Sequence, residues 1–308
     1  MHPRPLAVRL LAAALLLAPA GARACACGCG VFTVGTSSLF PGTTGGDTTL
    51  FLELDLLDQS RNWSGASSAP AARDPDRDIR TRFYTLGAQH MFDRDWGVMV
   101  EVPAWQRHFL TADAGAPTAF DHGALGDVRL LGMYTGISPD LSTGLLYGLK
   151  LPTGDWTYRG FDRDTEIGTG TTDLLLGAYQ QLELGAAGDW SAFGQAMLDL
   201  PLDARQGYRP GEELDAAAGV YHAGWRLARG VALVPVLQAL VSWRLHDTGA
   251  AADFANSGYR RILAAPGLEL DWDRVRLYAD LELPVYQFVY GDQLVAPWQA
   301  KFTVSYRF

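Results

Sequence analysis

Cys25, Cys27 and Cys29 are the only cysteines of the chain, and they alternate with Ala26, Gly28 and Gly30. Small spacers let the backbone fold tightly, so three sulfurs can converge on one ion. Soft thiolates suit Cu(I), Zn and Fe–S clusters. Low coordination favours Cu(I), whereas Zn wants a fourth ligand, which a new N-terminal amine or a His would supply. The spacing is not a C-x2-C pair, and no C-x-x-C-H for covalent haem follows. Two other readings stand beside metal binding. One is redox chemistry, by thiol–disulfide exchange or capture of an oxyanion such as selenite. The other is structural, a small-residue plug or an inter-chain disulfide.

What lies around the thiols decides where such chemistry takes place. Arg4 and Arg9 precede the short apolar run 10–18, and Ala22-Arg23-Ala24 is an A-x-A cleavage pattern. Residues 1–24 therefore read as an export signal, with Cys25 the first mature residue. A lipoprotein signal also ends before a Cys, but Ala22-Arg23 fits its pattern poorly. Removing three Arg and no acids takes the net charge from −9 to −12, which argues against nucleic-acid binding. An oxidising compartment follows from export, and with three cysteines at least one stays unpaired within the chain.

The elements that must carry the rest are strands. Leu50, Leu52, Leu54 and Leu56 alternate with Glu53 and Asp55, and Leu277, Leu281 and Leu283 with Arg276, Asp280 and Glu282. At the end, Trp298, Phe302, Val304, Tyr306 and Phe308 alternate with Gln299, Lys301, Thr303, Ser305 and Arg307. This is period two throughout, with no amphipathic helix to cover the apolar faces. Apolar outside, polar inside and no open edge is how strands meet lipid. Twelve segments are expected near 48–58, 79–92, 96–108, 125–136, 141–152, 171–184, 190–202, 213–225, 231–245, 259–272, 275–288 and 294–308. Long polar connections such as 59–78 and 153–170 alternate with tight turns such as 93–95. The reading is an all-β, antiparallel outer-membrane β-barrel of about twelve strands over 48–308. A Cys/Gly/Thr-rich segment, 25–47, then sits at the periplasmic mouth. Trp96, Trp190, Trp225 and Trp272 fall by short turns, where an interfacial girdle belongs. Phe308 closes a terminal Tyr-Arg-Phe similar to the signal read by the barrel-assembly machinery.

Glu101-Val-Pro103, Lys150-Leu-Pro152, Asp199-Leu-Pro201 and Glu282-Leu-Pro284 repeat one pattern. Each charge has lumen parity, and each Pro marks a bulge or a strand end. With Arg276 and Lys301 these charges are expected to line the lumen as a partial, carboxylate-dominated ring that sets ion preference. The alternative is hydrated strand-end bulges.

Three segments carry a family resemblance. They are Leu125-Gly-Asp-Val-Arg-Leu-Leu-Gly132, Gly148-Leu-Lys-Leu-Pro-Thr-Gly154 and Gly168-Thr-Gly-Thr-Thr-Asp-Leu-Leu-Leu-Gly177. In that order they resemble the outer-membrane barrels named for the MetA pathway of phenol degradation, over about residues 40–308. The resemblance implies a barrel passing small molecules, aromatic or apolar compounds among them, and no catalytic residues. The Cys-Ala-Cys-Gly-Cys-Gly-Val-Phe start looks more like porin-like barrels tied to selenite or tellurite reduction.

His90, His108, His122, His222 and His246 have no local Ser motif of a nucleophilic triad, and an enzyme is not expected. The function expected is passive passage of small solutes through a polar lumen. The alternative is metal or metalloid handling by the N-terminal thiols. A purely structural or adhesion barrel would not conduct ions.

The thiol reading is checked by metal content of mature protein taken from outer membranes under reducing, anaerobic conditions. Roughly one copper or zinc per chain, lost in Cys25/Cys27/Cys29→Ser, is the expected result. Metal-free protein in both cases returns the motif to redox chemistry or structure.

Overall fold

The computed structural model describes residues 46–112, 115–185 and 189–308. The expected signal and nearly all of the thiol segment lie outside the described residues. In chain order the first strands are β1 (Thr48–Gln59), β2 (Arg61–Gly65), β3 (Ser67–Ser68), β4 (Asp76–Met91) and β5 (Trp96–Thr111). Next come β6 (Thr118–Leu125), β7 (Val128–Tyr134), β8 (Thr143–Leu151), β9 (Asp173–Leu184), β10 (Trp190–Pro201) and β11 (Glu213–His222). The last are β12 (Trp225–Ala228), β13 (Val231–Arg244), β14 (Tyr259–Trp272), β15 (Val275–Val295) and β16 (Gln299–Arg307).

Twelve of these form a closed antiparallel wall in the order β1, β4, β5, β7, β8, β9, β10, β11, β13, β14, β15, β16. β16 returns to β1, with Thr49 opposite Arg307 and Leu57 opposite Gln299. Closure leaves no backbone edge to lipid, which is the condition for a strand to cross a membrane.

Alternation decides which side chains face which medium. On β1, Leu50 and Leu52 point outward, 41% and 50% exposed, while Thr49, Phe51, Glu53 and Asp55 are buried in the lumen. On β16, Phe302, Val304 and Tyr306 face out, and Lys301, Thr303 and Ser305 are buried inside. On β5 the outward face runs from Trp96, Val98 and Val100 up to Gln106 and His108, where the lipid band gives way to water. Both described ends lie on the rim of the short turns, where Phe308 N donates to Thr48 O at 2.9 Å.

The expected wall strands match in number and place, with three differences. The stretch after 108, expected as loop, is a hairpin: β5 runs on to Thr111, and β6 pairs with its upper half from Ala104 to Thr111. β7 pairs with the lower half, from Trp96 to Glu101. The exchange of partners falls at Pro103, which has no N–H to give to either neighbour. β15 continues past the expected end to Val295, where its upper part pairs with β2. A register shift by Pro284, with Ile262 opposite Tyr286 and Leu263 opposite Pro284, bulges this strand, and its pairing with β14 resumes from Tyr286 to Val289. Pro152 and Pro201 fall at strand ends. The short β12 is the third difference, a separate four-residue strand before the turn to β13.

One close approach fixes the lower wall. The Phe51 ring lies flat over Gly87, where a Cβ would meet Phe51 Cζ at 1.9 Å. Gly87→Ala is expected to cost about 1–3 kcal/mol, as overpacking does. Urea unfolding of the barrel in lipid bilayers measures it, and an unchanged midpoint would show that the ring has another seat.

Candidate functional site

The lumen is filled at two levels with a small chamber between them. Its lower level, next to the short turns, is apolar. Phe51, Met91, Met99, Leu131, Met133, Leu175, Phe193, Met197, Leu240 and Leu263 form one buried cluster there. Of the five methionines in the chain, Met91, Met99, Met133 and Met197 are all in this floor. This corrects the expectation of a polar lumen for its lower half. The alternation is as expected, but in the lower half the inward positions carry Met, Leu and Phe.

The upper level is the connection 152–172. Tyr158, Phe161 and Ile167 pack against the inward faces of β4, β5 and β6 with Ile79, Phe109 and Phe120. His122 on β6 stacks on Tyr158 at 3.9 Å between ring centroids and bonds Asp155 Oδ2 at 2.9 Å. Arg107, 2% exposed, donates to the carbonyls of Thr165 and Glu166. Burial pushes the Glu166 carboxyl up to about 7. A connection expected as a polar loop is therefore an inward-folded plug with its own apolar core.

Asp127 holds both ends of the plug. Its Oδ1 accepts from Gly154 N at 2.9 Å; its Oδ2 accepts from Thr169 N at 2.7 Å and Thr169 Oγ1 at 2.8 Å. The two ends touch through glycine: a Cβ on Gly168 would meet Gly154 C at 2.7 Å. The three sequence segments that carry the family resemblance thus meet at one point. Their spacing along the chain had hidden a single backbone node.

Between plug and floor lies a cavity of about 120 Å3, lined by Glu53, Glu101, Arg129, Lys150 and Asp199 from the wall and by Ile167 and Thr169 from the plug. It has room for a few waters. Its charges are paired. Lys150 Nζ contacts Asp199 at 2.8 Å and also pairs with Asp173. Arg129 stands 3.7 Å from Glu101. Across the lumen, Lys301 Nζ is 3.2 Å from Glu53 and 3.5 Å from Asp55. Gln299, with its amide turned to satisfy both sides, donates to Glu282 and accepts from Arg261.

Of the six charges read from the sequence, Glu101, Lys150, Asp199, Glu282 and Lys301 stand at or beside this level, in two paired clusters. Arg276 sits apart, 3.8 Å from Asp271 near the short turns. The partners Glu53, Asp55, Arg129 and Asp173 were missed as site residues, although all four have the same inward parity. Trp96, Trp190, Trp225 and Trp272 lie outward by the short turns, with Phe308 on the same rim. His90 bonds Thr48 Oγ1 at 2.8 Å, His108 bonds Asp121 at 2.8 Å, and His222 accepts from Gly224 N. Cys25, Cys27 and Cys29 lie outside the described residues.

No family model and no curated protein matches the chain. Among solved structures, an outer-membrane channel from Pseudomonas putida F1 is similar with a TM-score of 0.66 at 11% identity, covering 89% of this chain and 100% of that one. The β domain of the Bordetella autotransporter BrkA gives 0.50 at 13% identity, covering 85% and 100%. The chain has the fold of a twelve-stranded outer-membrane β-barrel.

Removing one partner of a buried ion pair leaves the other charge uncompensated. Lys301→Met, which abandons Glu53 and Asp55, is expected to cost about 3–5 kcal/mol. Urea unfolding in bilayers reads this out, and adding Glu53→Gln and Asp55→Asn to the same variant should restore much of the loss.

Proposed function

We propose that this barrel is a channel for small, weakly polar solutes, small aromatic compounds among them, and that the plug must move for each to pass. The observation that carries this reading is the floor. A charged or strongly polar solute has to shed water against Met, Leu and Phe, while an apolar one loses nothing there. Met is unbranched and adapts its rotamers to the shape beside it, so four methionines make a floor that can part and close. The resemblance to the phenol-degradation barrels points to the same solute class, and the similar Pseudomonas channel has the same fold.

In this reading the plug leaves the mouth by release from Asp127. The solute enters the chamber and passes between the methionines to the periplasm. The paired charges at Glu101, Lys150, Asp199, Glu282 and Lys301, with Arg276 below, tune the residual ion leak. The outer tryptophans anchor the wall in lipid, and terminal Phe308 serves delivery to the barrel-assembly machinery.

One observation favours a second reading, soft-metal or metalloid handling. Gly46 N bonds Met91 O at 2.8 Å and Met91 N bonds Asp47 O at 3.0 Å. The chain that carries Cys25, Cys27 and Cys29 therefore joins the barrel at a methionine of the floor. Thiols and thioethers share a preference for soft ions, and the metal measurement above decides this reading.

The channel reading is tested by uptake of a labelled monoaromatic into porin-poor cells expressing the chain. Uptake severalfold above empty cells, raised further by Asp127→Ala, is expected, with only a small single-channel conductance in planar bilayers. Fast sucrose flux with no aromatic uptake would sink it. In the same bilayers, Glu101→Gln with Asp199→Asn should shift the reversal potential.

A further inference from the structure

Two Asp-x-Asp segments far apart in the sequence come within electrostatic range of each other at the outer mouth. Asp74-Pro-Asp76 leads into β4, and Asp162-Arg-Asp164 is a turn of the plug. Asp76 feels the charges of Asp74, Asp162 and Asp164, and Asp74 those of Asp164 and of Asp292 on β15. Two of these carboxylates are sealed from water, Asp74 at 2% exposure and Asp76 at 1%. Asp74 Oδ1 accepts from Asp76 N at 2.7 Å, but Asp74 Oδ2 has no hydrogen-bond partner. Neither oxygen of Asp76 has one, although the Thr111 hydroxyl lies beside it.

The nearby cations make no hydrogen bond to the carboxylate oxygens of this pair. Arg77 spends its guanidinium on the carbonyls of Ala71, Asp74 and Asp76. Arg73 reaches Asp292 only at 3.9 Å and is 59% exposed. Arg163 turns away to the Thr169 carbonyl and lies over the rings of Tyr208 and Trp156. Buried carboxylates without donors are costly unless a cation joins them.

We propose that Asp74, Asp76, Asp162, Asp164 and Asp292 bind one divalent cation of the calcium type, which ties the plug to the mouth of the barrel. Several carboxylates at alternate positions are the ligand chemistry of a hard cation, and calcium accepts irregular oxygen shells where magnesium does not. Among the described residues no three acidic, histidine or cysteine groups stand at the spacing of a formed metal site. Binding therefore draws the Asp162–Asp164 turn and the Asp74–Asp76 segment together. Its effect on passage rests on the channel reading, but its existence does not.

The test is calcium titration of the full-length folded barrel in detergent, by calorimetry and by melting, in wild type, Asp76→Asn, Asp164→Asn and the exposed control Asp121→Asn. Expected is about one calcium per chain in the millimolar range or tighter, with a rise in melting temperature. Asp76→Asn should melt no lower than wild type without calcium, because a buried charge is gone, and should lose the calcium response. Asp164→Asn should bind severalfold more weakly, and Asp121→Asn should match wild type. Protease cutting within 152–172 should slow with calcium in wild type alone among wild type and Asp76→Asn. No calcium binding by wild type, or equal binding by Asp76→Asn, overturns the proposal. Either result leaves the aromatic-uptake measurement to judge the channel by itself.

Discussion

One carboxylate organises the upper half of this barrel. Asp127 accepts three hydrogen bonds from the two ends of the plug, and Gly154 and Gly168 touch because neither has a Cβ. Hydrogen bonds to an ionised acceptor are stronger than neutral ones, and here they are spent on backbone and not on a ligand. The node also sets the wall beneath. Just before Asp127 the chain leaves β6, and just after it β7 takes over the lower half of β5. The same bend that opens space beside β6 lets the plug fold into that space.

Below the node, the lumen solves two problems in series. Ionisable side chains must line the interior because the lipid faces demand apolar ones, and at chamber level they are grouped with opposite charges. Lys150 serves Asp173 and Asp199, and Lys301 serves Glu53 and Asp55. With only two lysines in the chain, both stand where carboxylates would otherwise repel across a narrow bore. Further down, side chains without charge meet and the bore closes on itself. Water-filled pores keep polar walls along their length, and this barrel does not.

The wall was legible in the sequence because alternation reports the medium on each side, and the medium outside is uniform. Leu50, Leu52, Phe302 and Val304 announce lipid wherever they occur. Inward positions are less legible, since parity says that Met99 or Leu131 faces in but not what it meets there. The plug was illegible for a related reason. Phe161 and Ile167 are scattered among polar residues with no period, and only the fold shows that they cover Phe109 and Ile79. Asp127 was visible as part of a glycine-rich motif, but the residues it bonds lie 27 and 42 positions further on. The exchange of partners at Pro103 left a trace, the recurring charge-apolar-Pro pattern, whose meaning differs at each site: a partner change at Pro103, strand ends at Pro152 and Pro201, a bulge at Pro284.

The seam between β1 and β16 joins nearly the first described residue to the last, Thr49 to Arg307. Every other wall contact can form between neighbours in the chain, but this one cannot exist until the final strand has arrived. A partly made chain therefore carries two bare edges, each ready to pair with any other strand it meets. The barrel has no useful shorter version of itself. Whatever escorts the chain to the membrane must keep the first strand waiting for the whole length of the polypeptide.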